Sequence, residues 1–186
     1  MYILASASPR RRELISNIID DFIVEVSNIE ESCPEDIELY KRPEFLAVKK
    51  AEDIALRRKE DIIISADTAV FLDDKMLGKP KNEEDAFLML KSLSGRKHKV
   101  ITGCCIIKGN KKHSFSVVTD VEFYELTDAE INDYIAKNES LDKAGGYGIQ
   151  GKGFVLVKGV EGDYFNVVGL PVAELHKQLS LFENNE

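Results

Sequence analysis

The fold is decided around residues 62–68, which read Ile-Ile-Ile-Ser-Ala-Asp-Thr. Three consecutive β-branched apolar residues predict a central strand, because a strand covered on both faces has no polar side. Asp67 follows this run, and ligands of open α/β sheets bind beyond the carboxyl ends of strands. The stretch therefore predicts a buried strand followed by a carboxylate that serves either as a metal ligand or general base or as an ordinary turn residue.

Strand and helix patterns alternate on both sides of that run. We expect further strands over 2–5, 22–26, 69–77 (a hairpin), 100–107, 114–124 and 154–157. We expect helices that begin near residues 9, 43, 82, 127 and 170, each marked by a capping residue, a proline or an apolar stripe. Interleaved helices and strands, without a repeat or a linker, predict an α/β or α+β fold in a single domain over 1–186.

Composition excludes several classes of protein. Hydrophobic residues make up 44% of the 186 residues and charged residues 31%, which is typical of a globular chain and not of a disordered or membrane protein. The 33 acidic residues outnumber the 25 basic ones and give a net charge of −8. Nucleic-acid binding and attachment to a membrane through a basic patch are therefore not expected.

Cysteines and the N-terminus point to the cytoplasm. The three cysteines form neither a disulfide framework nor a zinc-binding spacing. The N-terminal arginines follow a short apolar stretch, whereas a secretory signal has its charges first and a longer apolar core. No apolar run approaches the roughly 18 residues of a membrane span. We therefore expect a cytoplasmic protein.

The segment from Ser6 to Arg11 is the first candidate for ligand binding. It reads Ser-Ala-Ser-Pro-Arg-Arg and lies between a predicted strand and a predicted helix. Backbone N–H groups at a helix start bind phosphate, and hydroxyls and guanidinium groups add charge-assisted donors. Ser6, Ser8, Arg10 and Arg11 are therefore candidate phosphate ligands, and a capped helix with solvated arginines is the alternative.

Four further side chains have both a functional and a structural interpretation. Lys50 interrupts an apolar helical stripe, so it either extends past the core edge or points into a polar cleft. Glu31 is a candidate cation ligand or a solvated acid, and Lys79 precedes a proline that would stiffen an ammonium aimed at phosphate. Gln150, in the glycine-rich stretch 145–153, offers a donor and an acceptor to a base edge, unless that stretch is a plain hairpin. Together these groups suit a metal-assisted phosphoanhydride site.

Six ordered motifs carry a resemblance to a known family. They are Ser6-x-Ser8-Pro9-Arg10-Arg11, Ser65-Ala66-Asp67-Thr68, Gly78-Lys79-Pro80, Leu93-Ser94-Gly95-Arg96-x-His98-x-Val100-x-Thr102-Gly103, the run from Asp142 to Gly151, and Val168-Gly169-Leu170-Pro171. The chain resembles the Maf (septum-formation) family of nucleoside triphosphate pyrophosphatases from residue 3 to about residue 180.

The resemblance implies a fold, a reaction and a set of site residues. The expected fold is α/β and similar to the inosine-triphosphatase type, a single domain with a long bent mixed sheet, flanking helices and a central cleft. The expected reaction converts a nucleoside triphosphate to the monophosphate and pyrophosphate with Mg²⁺, or with Mn²⁺ or Co²⁺. The family's proton acceptor corresponds to Asp67, which with Glu31 is also an expected metal ligand. Family positions that contact phosphate or metal correspond to Ser8, Arg11, Glu31, Lys50 and Lys79, and we add Ser6 and Arg10.

The resemblance also narrows the substrate. Members that act on dTTP and UTP carry the residues found here as Arg11, Thr68 and Gln150, whereas the 7-methyl-GTP branch has Trp, Gln and Glu at its corresponding positions. We therefore expect dTTP and UTP, or modified pyrimidine nucleotides, as substrates. Phe45 departs from the arginine that the family often has there, which removes a secondary ion pair. The alternative is a nucleotide-binding regulator of division that needs no turnover. A homodimer is expected from family habit alone.

Overall fold

The computed structural model describes residues 1–184, which form seven strands and six helices. The strands are β1 (Tyr2–Leu4), β2 (Phe22–Val24), β3 (Ile62–Leu72), β4 (Lys75–Leu77), β5 (Lys97–Lys108), β6 (Lys111–Phe123) and β7 (Val157–Glu161). The helices are α1 (Pro9–Ile15), α2 (Arg42–Ala55), α3 (Glu83–Leu93), α4 (Asp128–Ile135), α5 (Tyr164–Val168) and α6 (Val172–Asn184).

All seven strands belong to one mixed sheet. The strand order is β2-β1-β3-β5-β6-β7, and β4, which is not part of this order, pairs with β3. β1 runs parallel to both β2 and β3, whereas the β3–β4 and β6–β7 pairs are antiparallel. The expected α/β class with a mixed sheet and flanking helices is confirmed.

The residues group into two compact units. The first unit comprises 1–68, 102–117 and the chain from Gly169 onward, and the second comprises 69–101 and 118–168. Each unit has a buried apolar cluster of its own. In the first unit this cluster contains Ile3, Ala5, Ala47, Ala51, Ile54, Ile63, Cys105 and Ile107. In the second it includes Val70, Leu90, Leu93, Val121, Phe123, Ile131, Tyr134 and Tyr147.

β3 is longer than the sequence predicts, and this changes the position of Asp67. The strand continues through Asp67 and Thr68 to Leu72, so the prediction that Asp67 follows the end of its strand is wrong. β1 pairs with β3 only as far as Ile64, where it ends at Leu4. Asp67 therefore lies beyond the carboxyl end of the neighbouring parallel strand, which is where ligands of such sheets bind.

The remaining elements follow the sequence with two exceptions, and the first is α5, a short helix over Tyr164–Val168 that the sequence did not predict. Ser8, Asn82 and the Thr127 capping box begin α1, α3 and α4 as expected. The predicted strand over 154–157 is wrong, because Gly151–Leu156 forms 3₁₀ turns and β7 begins only at Val157. Within residues 1–184, no helix combines the length and the apolar character needed to cross a membrane.

Candidate active site

The candidate site starts from the alternation of side chains along β3. Consecutive residues of a strand point to opposite faces, so Ser65 and Asp67 share one face and Thr68 lies on the other. On the first face the Ser65 hydroxyl donates to the backbone carbonyl of Ala47, at 2.6 Å, and joins β3 to α2. The neighbours Asp67 and Thr68 therefore enter different surroundings.

Asp67 belongs to an ion cluster made of Glu31, Lys50 and Asp67. The Lys50 Nζ atom donates to Asp67 Oδ1 at 2.6 Å and lies 2.7 Å from Glu31 Oε1. Lys50 is only 7% exposed, although the Glu31 side chain is 57% exposed. The structure therefore supports the second interpretation of Lys50, in which the side chain points into polar surroundings. The two carboxylates compensate the cost of burying its positive charge.

Close packing at the start of α2 positions Lys50. A Cβ atom on Gly103 would lie 2.2 Å from the backbone nitrogen of Glu44, so only glycine permits this approach of β5 to the helix. The Glu44 carboxylate accepts hydrogen bonds from the hydroxyls of Ser114 and Ser116, at 2.7 and 2.8 Å. These contacts anchor the first turn of α2, and Lys50 lies in a later turn of the same helix.

Thr68 belongs to a guanidinium cluster made of Ser6, Arg11, Thr68, Thr102 and Gly169. The Arg11 guanidinium donates through Nε to the Gly169 carbonyl at 2.8 Å, through Nη2 to Thr68 Oγ1 at 2.9 Å, and through Nη1 to Ser6 Oγ at 3.3 Å. The Thr68 and Thr102 hydroxyls lie 2.9 Å apart. Arg11 is thus fixed by three neutral oxygen atoms.

Electrostatics and backbone conformation both restrict the guanidinium cluster. Burial lowers the pKa of Arg11 below its ordinary value, and the negative charge of Asp67 opposes that shift. Burial raises the pKa of the Cys104 thiol to about 12, so this neighbour is neutral at pH 7. Gly169 has a φ of +127°, a conformation that side chains rarely allow, and in it the carbonyl accepts from Arg11.

The loop between β1 and α1 brings hydroxyl groups to the same unit. Ser6 is buried, and its Oγ atom accepts from the backbone N–H of Ser8 at 3.2 Å. The Ser8 hydroxyl caps α1 by accepting from the backbone N–H of Arg11, at 3.4 Å. Arg10 follows at the second position of the helix and is partly buried. This loop follows the carboxyl end of β1, as the sequence predicts for a phosphate-binding segment.

The ion cluster fits a divalent cation that shares its coordination with phosphate. Glu31 and Asp67 hold their oxygens on the same ammonium nitrogen, so their carboxylates converge. Across residues 1–184, no group of three or more His, Cys, Asp and Glu side chains could form a cage made of protein ligands only. Mg²⁺ commonly uses one or two carboxylates together with substrate phosphates, and Glu31 and Asp67 are the residues that would take this part.

Two of the predicted site residues lie in the second unit. Lys79 is exposed between β4 and α3, and Gln150 is partly buried just before the 3₁₀ turns. The loop that carries Gln150 is held in place by two tyrosines. Tyr134 Oη accepts from the backbone N–H of Gly148 at 3.1 Å, and the Tyr147 hydroxyl lies 2.7 Å from His98 Nε2. The roles of Lys79 and Gln150 stay predictions.

Thr102 and Gly169 belong to the guanidinium cluster but were not predicted as candidate site residues, although both lie in the quoted motifs. Thr102 is a fully buried hydroxyl within the apolar run 100–107 of β5. Because a buried polar group needs a hydrogen-bond partner, that contrast was the available signal. The identity of the partner depends on the pairing of distant strands, which local patterns do not specify.

Comparisons with known proteins identify the family of the chain. The family model described as Maf-like protein matches residues 1–182. A Bacillus cereus (strain B4264) protein named dTTP/UTP pyrophosphatase is 46% identical over 186 residues, which cover 97% of this chain and 95% of that protein. A Pyrococcus furiosus protein of the same name is 49% identical over 179 residues, covering 96% of this chain and 94% of that protein.

A solved structure shares the fold. The Ham1 protein of Staphylococcus aureus superposes with a TM-score of 0.52 and covers 84% of this chain and 79% of its own. At 16% sequence identity this likeness shows the fold alone. The family match spans nearly the whole chain, and the relatives are similar over nearly their whole length. The chain belongs to the Maf-like protein family.

Proposed function

We propose that this protein hydrolyses dTTP and UTP to the nucleoside monophosphate and pyrophosphate. The names of relatives that are 46% and 49% identical support this reaction and these substrates. The observation that carries the proposal is the joint placement of Asp67 and Thr68. Asp67, the expected base, accepts a hydrogen bond from Lys50. Thr68, the next residue, accepts one from Arg11, and these two are the specificity residues expected in the first unit.

In the proposed mechanism Asp67 acts as general base. An Asp67 carboxylate oxygen takes a proton from a water molecule as the water oxygen attacks the α-phosphorus. The bond between that phosphorus and the α–β bridging oxygen breaks, and pyrophosphate leaves with the bonding electron pair. Lys50 is held beside the base, where its positive charge stabilises the phosphate groups as negative charge develops.

The cationic and hydroxyl groups of the loop and helix bind the triphosphate. We propose that Ser6, Ser8 and Arg10 contact phosphate oxygens, with Lys79 as a further contact that rests on the motif resemblance alone. Glu31 and Asp67 would hold a divalent cation, Mg²⁺ or alternatively Mn²⁺ or Co²⁺. When bound, such a cation neutralises phosphate charge and raises the electrophilicity of phosphorus.

Selection of the pyrimidine nucleotide is assigned to Arg11, Thr68 and Gln150. The hydrogen bond that Arg11 donates to Thr68 supports a shared role in selection. It fixes the guanidinium and the hydroxyl relative to each other, so the two groups present one defined pattern to a ligand. The assignment of Gln150 rests on its place in the Ile-Gln-Gly motif. Modified pyrimidine nucleotides meet the same pattern and belong in the substrate panel.

A substrate panel tests the proposal. The purified protein is incubated with Mg²⁺ and each nucleoside triphosphate, and pyrophosphate and orthophosphate are measured separately. We expect pyrophosphate from dTTP and UTP, and little from ATP or GTP. Orthophosphate as the first product would show that a different phosphoanhydride bond is cleaved and would contradict the proposal. Binding of a nucleotide without any product would favour the regulator of division, which the structure does not otherwise support.

A further inference from the structure

Thr102 belongs to the longest of the six motifs, yet the proposed function gives it no role. We propose that Thr102 is a positioning residue, which fixes the Thr68 hydroxyl and through it the Arg11 guanidinium for nucleotide binding. The inference rests on the proposed function, because it assigns a supporting residue to the same site.

Burial shows that Thr102 acts through another residue. Thr102 is 0% exposed, so its side chain is not available to touch a nucleotide. Its hydroxyl lies 2.9 Å from the hydroxyl of Thr68, which is partly exposed. A contact with the ligand would therefore come from Thr68, and the buried threonine would set the direction of that hydroxyl.

The hydrogen-bond inventory of Thr68 explains why a second threonine matters. A hydroxyl has one proton and two lone pairs. Arg11 Nη2 donates to one lone pair at 2.9 Å, and the Gly169 carbonyl is a long acceptor at 3.4 Å. Without the Thr102 hydroxyl, only the short hydrogen bond from Arg11 and the long one to Gly169 would orient the Thr68 hydroxyl. The proton and the remaining lone pair would then rotate more freely, and binding would lose preorganisation.

The expected effect is on substrate binding. The nucleotide contact of Thr68 exists before and during the reaction, and loss of such a contact raises KM while kcat stays unchanged. One neutral hydrogen bond corresponds to about a fivefold change in an equilibrium constant. Thr102→Val should therefore raise KM for UTP about fivefold and change kcat less than about twofold.

Two further variants separate positioning from general loss of a buried hydroxyl. Thr102→Ser keeps the hydroxyl and should restore KM to near the wild-type value. Thr119→Val is the matched control, because Thr119 is also 0% exposed in a strand. Its hydroxyl bonds the Asp163 carbonyl and the Asn166 amide in the second unit, at 2.9 and 3.0 Å. Thr119→Val should leave KM for UTP unchanged, and thermal unfolding of all three variants measures any loss of stability separately.

Steady-state kinetics with UTP and dTTP test the proposal on the full chain. A raised KM in Thr102→Val, rescue by Thr102→Ser and an unchanged KM in Thr119→Val would support it. It is overturned if Thr102→Val keeps the wild-type KM, if serine fails to rescue, or if Thr119→Val raises KM equally.

Failure of the proposed function would be visible separately. In that case the wild-type protein would release no pyrophosphate, and the dissociation constant of UTP, measured by calorimetry, replaces KM. Weaker UTP binding by Thr102→Val alone would then still support the positioning role. Equal binding by all variants, or no binding by the wild-type protein, would overturn it.

Discussion

Asp67 and Thr68 are neighbours in the sequence, yet their side chains enter clusters of different chemistry. The ion cluster of Asp67 places one ammonium between two carboxylates, and one of those carboxylates is largely exposed. The guanidinium cluster of Thr68 places one cation among neutral hydroxyl and carbonyl oxygens. The period of two along a strand therefore lets one dipeptide supply two kinds of site.

The two clusters should respond differently to substitution. Removal of one member of the ion cluster leaves an uncompensated charge at a partly buried position, which is costly. Removal of one hydroxyl from the guanidinium cluster removes hydrogen bonds but leaves the Arg11 guanidinium with its other oxygen partners, so it costs less. We therefore expect the ion cluster to control the rate and the stability, and the guanidinium cluster to control which nucleotide is bound.

The largest effect is expected from Asp67→Asn. The amide keeps the shape of the side chain but removes the base, so kcat for UTP should fall about 1,000-fold or more. UTP binding should change by less than about tenfold, because the phosphate contacts remain. Single-turnover kinetics and calorimetry measure the two quantities. A variant that retains a near-wild-type rate would remove Asp67 from the mechanism.

The second-largest effect is expected from His98, a buried titratable side chain whose Nε2 atom lies 2.7 Å from the neutral Tyr147 hydroxyl. Burial lowers the pKa of His98 from 6.5 to about 4. Between these values the unfolded chain binds a proton that the folded chain does not. The free energy of unfolding should therefore decrease as pH falls from 6.5 towards 4, by about 3 kcal/mol in total.

His98→Gln should remove most of that pH dependence, since glutamine does not titrate. Urea unfolding at several pH values measures the effect, and the exposed His176→Gln is the matched control. An identical pH slope for His98→Gln and the wild-type protein would refute the assignment. Such a result would also weaken the comparison between the ion cluster, where the buried charge is paired, and His98, which burial keeps neutral.

A smaller loss of stability is expected from Lys50→Met. The variant keeps most of the length of the side chain but leaves Asp67 and Glu31 without their shared cation. The free energy of unfolding should fall by about 2 kcal/mol, a value reduced because Glu31 reaches solvent. Lys49→Met changes an exposed lysine of the same helix and should cost less than about 0.5 kcal/mol. Equal losses for both variants, by urea unfolding, would contradict the ion cluster as described.

The smallest effect is expected in the guanidinium cluster. Thr68→Val removes one hydroxyl, and kcat/KM for UTP should fall about tenfold, with a smaller loss for a poor substrate such as CTP. The ratio of the two kcat/KM values is the measurement. An equal loss for both nucleotides would show that Thr68 supports the fold without selecting the substrate.

Local patterns in the sequence predicted much of the fold and the residue types of the site. The caps at Ser8, Asn82 and Thr127 are short-range features, and they were predicted correctly. The extent of β3 was not, because the sequence predicts a strand end before Asp67 and a separate hairpin over 69–77, whereas residues 62–72 form one strand that pairs with β5 as well as β4. The partner of Lys50 and the contact between Thr68 and Thr102 depend on packing between distant segments, which periodicity does not encode.

Hydrolysis of UTP in water enriched in ¹⁸O tests the central claim most directly. If Asp67 activates water for attack at the α-phosphorus, mass spectrometry will find the label in UMP and unlabelled pyrophosphate. The Asp67→Asn variant should form neither product at a comparable rate. Label in the pyrophosphate, or release of orthophosphate with UDP, would contradict the proposed reaction.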